Sequence, residues 1–113
     1  MTATFQTAGR IVTGRGSLGE IGSLAAGLGA RALLVTGRRA LREAGVTDEI
    51  VQALAGEGLR AVVFDEVDPE PSVETVDAGR SAFRIDHCDL VIAAGGGSAL
   101  DVGKAVAALG REV

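Results

Sequence analysis

The sequence predicts an α/β fold in the order βαβαβαβα, a parallel sheet with helices on both faces. Three short runs, residues 31–36, 59–65 and 89–94, have near-continuous apolar centres. That pattern marks strands buried on both faces. The runs begin 28 and 30 residues apart, the length of a strand–helix unit, so right-handed crossovers in a parallel sheet follow. Helix-start signals fall between them. Together these features define a Rossmann-like layered unit.

Each element has its own warrant. A weaker run at residues 10–13 supplies a first strand. Ser17 and Glu20 are spaced as a capping box and open a helix to about Gly29. Leu18, Ile21, Leu24, Ala25 and Leu28 then share one helical face. Thr47 is placed to cap a second helix with Ile50, Val51 and Leu54 inward, ended by Gly56 and Gly58. Ser72, after Pro71, caps a third helix to about Ile85. Ser98 and Asp101 repeat the capping-box spacing and open a last helix with Val102, Ala105, Val106 and Leu109 inward.

A chain of 113 residues allows one domain. Glycine is 17 of those residues, which points to tight turns or a close backbone approach. Aromatics are three Phe, with no Tyr or Trp, and net charge is −4. A stacking platform for bases and a polyanion-binding surface are both excluded, so no nucleic-acid partner is expected. One Cys permits no internal disulfide and suits a reducing cytoplasm. The first residues lack the pattern of a signal peptide, and no apolar stretch approaches a membrane span, so no membrane partner is expected.

Two glycine loops carry the chemistry. Gly14, Gly16 and Gly19 match the G-x-G-x-x-G dinucleotide fingerprint after a strand-like run. The acidic residue that should follow is replaced by Arg38 and Arg39, which suit a 2′-phosphate. The same glycines also suit a plain structural turn. The second loop is Gly95, Gly96, Gly97 and Ser98, which ends the most apolar strand and leads into a helix. Backbone without Cβ atoms, at a helix N-terminus with free N–H groups, suits a phosphate. Gly103 and Lys104 only hint at a P-loop, because Ser98 and Ala105 stand where Gly and Ser or Thr are required. Asp101 and Lys104 read as a surface i, i+3 ion pair.

The remaining candidates read as structural. His87 is a surface residue and Cys88 a small buried apolar one, since neighbours in sequence cannot converge on a metal. Asp65, Glu66, Asp68 and Glu70 lack a cation-loop spacing and read as a solvated face.

Residues 95–98 with Asp101 and Lys104 resemble the group III, iron-dependent alcohol dehydrogenase family, whose relatives include glycerol dehydrogenases, maleylacetate reductases and dehydroquinate synthases. Further landmarks agree in order: Arg10 to Gly16, Leu33 to Thr36, Val67 to Pro71, and Cys88 with Asp89. The resemblance covers about residues 5–110. It implies that Gly95, Gly96, Gly97 and Ser98 hold the pyrophosphate of a nicotinamide cofactor, with Asp101 near the nicotinamide side. Gly37 stands where members using NAD often carry Asp, and Arg38 and Arg39 follow, so NADP is favoured over NAD. Glu70 stands in the Pro-x-Pro turn at the adenosine end, where some members have Asn. Residues 14–19 become a structural turn, with the strand before them at a dimer contact.

On this resemblance, residues 1–113 are an incomplete N-terminal dinucleotide-binding domain. The iron or zinc ligands belong to a C-terminal helical domain that this chain lacks. The expected activity is hydride transfer between NADP, or NAD, and a small alcohol or aldehyde, in a homodimer, with the isolated chain inactive. The alternative is a non-enzymatic nucleotide-binding or assembly module that works with a partner chain. A reductase using residues 14–19 as its nucleotide loop is a third reading.

Overall fold

The three apolar runs form adjacent strands in a five-stranded sheet. The computed structural model describes residues 2–7, 10–15, 21–22 and 25–109. Its strands are β1 (Thr2–Thr7), β2 (Arg10–Arg15), β3 (Arg31–Gly37), β4 (Arg60–Val67) and β5 (Leu90–Ala94). Its helices are α1 (Ala40–Glu43), α2 (Val46–Gly56), α3 (Val73–Ile85) and α4 (Gly97–Leu109). The sheet order is β2-β1-β5-β3-β4.

Strand β3 pairs in parallel with both β4 and β5, as the spacing of the runs implies. The sequence reading did not foresee β1. It lies antiparallel to both β2 and β5, so the residue 10 strand enters the sheet as the outer arm of a hairpin.

Period-2 alternation sorts the central strands onto two cores. Ala32, Leu34, Leu90 and Ile92 face one side with Ile50 and Leu54 of α2, and with Ile21 and Ala25. Leu33, Val35, Val91 and Ala93 face the other with Phe83 of α3 and Val102 and Val106 of α4. Helices therefore cover both faces. Each large apolar side chain so buried contributes about 1.5–3 kcal/mol. Helix α3 approaches α4 closely because Gly79 has no side chain; a Cβ there would lie 2.8 Å from Val106 Cγ2.

Helix ends follow the sequence signals in part. Ser72 caps α3 through a capping box with Thr75. Helix α2 ends in a Schellman motif: Leu59 N–H donates to the Leu54 carbonyl and Gly58 N–H to that of Ala55. Helix α3 ends the same way with His87 in place of glycine, at φ 53°, and Cys88 N–H donating to the Phe83 carbonyl at 2.9 Å. His87 is thus exposed and Cys88 buried.

Two expected caps are corrected. Gly45, not Thr47, precedes α2, and Thr47 is buried inside it. Helix α4 begins at Gly97, so Ser98 lies within its first turn rather than before it. Glycine can start a helix without a side-chain cap; the Ser98 hydroxyl instead donates to the Pro69 carbonyl, and Thr47 is buried with its hydroxyl unpartnered among the described residues. The Ser17–Glu20 box lies outside the described residues, as do Leu18 and Leu24. Asp89 was marked in the sequence only as a landmark beside Cys88, with no structural role. Its carboxylate accepts from the Ala30 and Arg31 N–H groups at 2.9–3.0 Å and fixes the entry into β3.

Candidate functional site: a glycine-lined cleft at the carboxyl edge of the sheet

Strand order reverses between β5 and β3. The chain passes from β3 outward to β4, then crosses back to β5 on the other side. Ligands of open α/β sheets bind at such a switch point, outside the carboxyl ends of the strands. A cleft of about 490 Å³ lies there, lined by residues 37–40, 67–69 and 96–99. The three segments follow β3, β4 and β5.

The cleft brings together Gly37, Arg38, Arg39, Gly96, Gly97 and Ser98. Gly95, Glu70 and Asp101 do not line it. Gly95 turns the chain beneath it at φ 120°, a conformation that suits glycine. Glu70 and Asp101 are exposed. Val67, Asp68, Pro69 and Ala99 complete the wall; Val67 to Pro69 belong to a landmark of the family resemblance, Asp68 was otherwise read only as part of a solvated acidic run, and Ala99 carried no signal of its own.

Gly96 and Gly97 leave a cradle. A Cβ on either would meet nothing within 4 Å, so the backbone of the α4 N-terminus is open to a group lying against it. The first N–H groups of a helix have no intrahelical acceptor and point toward such a group. The helix dipole adds a positive potential there. The Ser98 hydroxyl donates to the Pro69 carbonyl at 2.7 Å and ties the two lips together.

Charge at the opposite lip is paired. Arg38 donates through Nε and Nη2 to the two Asp68 oxygens, at 2.5 and 3.4 Å. This contact raises Arg38 above its ordinary pKa and holds Asp68 below the usual carboxylate value. Arg42 donates to Asp65 at 2.7 Å. Among the described residues Arg39 has no ion-pair partner. Asp101 and Lys104 do not form the ion pair their spacing suggested.

Among the described residues no group of three or more His, Cys, Asp or Glu is placed to hold a metal. Also among them, no helix is long and apolar enough to cross a membrane. Cys88 is free and buried, and burial pushes its thiol up to about 11. That excludes a thiolate nucleophile near neutral pH. Gly14 lies in β2, which among the described residues pairs only with β1, antiparallel. The G-x-G-x-x-G fingerprint needs a parallel βαβ unit, which the antiparallel strand holding Gly14 does not supply; residues 16–19 lie outside the described residues.

A parallel core covered by helices on both faces, with a glycine-lined cleft at its carboxyl edge, defines a Rossmann-like α/β domain. Comparison with known proteins gives its family: residues 8–112 match the model of the iron-containing alcohol dehydrogenases. The chain belongs to that family. It is 36% identical over 104 residues to the choline dehydrogenase of Bacillus subtilis, covering 91% of this chain and 26% of that one. It is 36% identical over 96 residues to the NADPH-dependent butanol dehydrogenase of Clostridium saccharobutylicum, covering 85% of this chain and 24% of that one. The iron-containing alcohol dehydrogenase of Thermotoga maritima superposes with a TM-score of 0.77 at 37% identity, covering 84% of this chain and 26% of that one. An archaeal halo-thermophilic alcohol dehydrogenase from a Red Sea brine pool gives 0.82 at 32% identity, over 86% and 24%. The chain thus spans about a quarter of the length of the relatives it matches.

Proposed function

We propose that this chain is the N-terminal dinucleotide-binding part of an iron-containing alcohol dehydrogenase, and that the cleft holds NADP or NAD. The open backbone at Gly96 and Gly97 carries this reading. A pyrophosphate fits there because it needs close backbone approach, free N–H donors and a positive dipole. Gly37, Arg38 and Arg39 sit across the cleft at the place of the adenosine ribose. Gly37 offers no carboxylate, and Arg39 supplies a cation, which favours NADP. The relatives' own names include both NADPH-dependent and NADH-dependent butanol dehydrogenases.

The bound nicotinamide supplies the hydride chemistry. The chain's own residues bind and orient it. The substrate in the whole protein is a small alcohol or aldehyde. The described residues do not fit an iron or zinc ion, so no step is assigned to a metal on this chain. We place its ligands, and turnover, outside the described residues. The unpaired side of β2 is where we place a homodimer contact.

Isothermal titration with NADP and NAD, on the protein and on Gly96→Val, tests the reading. A valine meets open space rather than protein, so melting stays unchanged while affinity falls about tenfold or more. Gly16→Ala leaves affinity intact. Undiminished binding by Gly96→Val, or loss of binding in Gly16→Ala, overturns the assignment.

A further inference from the structure

We infer that Asp68 determines cofactor specificity, by occupying the Arg38 guanidinium that a 2′-phosphate would otherwise take. The inference rests on the nucleotide reading of the cleft given above. Gly37 and Val67 are register partners at the ends of the adjacent parallel strands β3 and β4. The next residue on each strand, Arg38 and Asp68, therefore emerge side by side, and both line the cleft. The guanidinium contacts both carboxylate oxygens, the same forked geometry by which arginine takes a phosphate.

An ion pair this exposed, with side chains 57% and 50% accessible, is weakly held and exchangeable. A 2′-phosphate reaching Arg38 must displace the carboxylate. It then lies beside the like charge of the displaced carboxylate. A 2′-hydroxyl meets neither cost. Asp65 holds Arg42 through a single contact, which leaves Arg39 as the cation on this lip without an acidic partner among the described residues. Asp68 thus shifts the balance toward NAD, against the pull of Arg39 toward NADP.

The test measures NADP and NAD affinities by calorimetry for the protein, Asp68→Asn, Arg38→Gln and the double variant. Asp68→Asn raises the NADP-to-NAD affinity ratio about tenfold, with NAD affinity held within about twofold. The gain shrinks in the Arg38→Gln background, as a coupled pair requires. A ratio unchanged by Asp68→Asn, with both nucleotides still binding, overturns the inference and leaves the cleft reading standing. So does an equal gain with and without Arg38. Failure of both nucleotides to bind the unmodified protein overturns the cleft reading and the inference with it.

Discussion

The Cys88 thiol lies on the core face shared by Phe83 and Val91 and is 8% exposed. Burial first, then the charges of Asp86 and Asp89, raise it from an ordinary 9.0 to about 11. Below pH 9 the thiol is protonated in both folded and unfolded chains, so its contribution is fully present. Between the two values the unfolded chain loses the proton and the folded chain keeps it. Stability therefore falls as pH rises from about 9 through about 11. Urea midpoints at about pH 8 and about pH 11 check this. The drop is larger in the protein than in Cys88→Ala; equal drops would contradict the assigned cause. Neighbouring His87 shows a different constraint. Its left-handed φ closes the Schellman motif that most helices close with glycine, a role that no reading of its imidazole as a ligand reveals.

At the scale of elements, the hairpin of β1 and β2 decides the edges of the sheet. β1 is inserted between β2 and β5, so β2 has hydrogen-bonding groups on one side that no strand among the described residues pairs with. Such an edge is a template for pairing, and a two-fold axis lets it pair with its own copy. Light scattering over a concentration series is expected to give twice the 11.4 kDa chain mass. A mass equal to one chain at the highest concentration argues against this edge as the dimer contact. The short α1 matters for the opposite end of the sheet. It presents Arg42 to Asp65 immediately after the Arg38–Asp68 pair, so β3, α1 and β4 share one charged lip.

Across the whole molecule, what was legible in the sequence is what burial dictates. The runs at β3, β4 and β5 are apolar because helices cover both their faces, and composition alone reveals that. The glycine loop was legible because three consecutive glycines exceed what one tight turn needs: Gly95 supplies the positive φ, while Gly96 and Gly97 leave the helix start open. Strand β1 was not: Thr2–Thr7 has no apolar run, and its place is fixed by pairing with residues near 90, far along the chain. Thr47 and Ser98 had the right chemistry for caps, but burial claimed one and the Pro69 carbonyl the other. The Arg38–Asp68 pair spans 30 residues and exists only because two strand ends are in register.

The central claim is that a dinucleotide lies across the carboxyl edge, between the glycine loop and the lip after β3. Backbone amide shifts recorded during titration with NADP test it most directly. The largest changes are expected at residues 96–99 and 37–40, with strand β2 and the far ends of the sheet unmoved. Changes centred on residues 14–19 instead, or an absence of saturable change at residues 96–99, would contradict it.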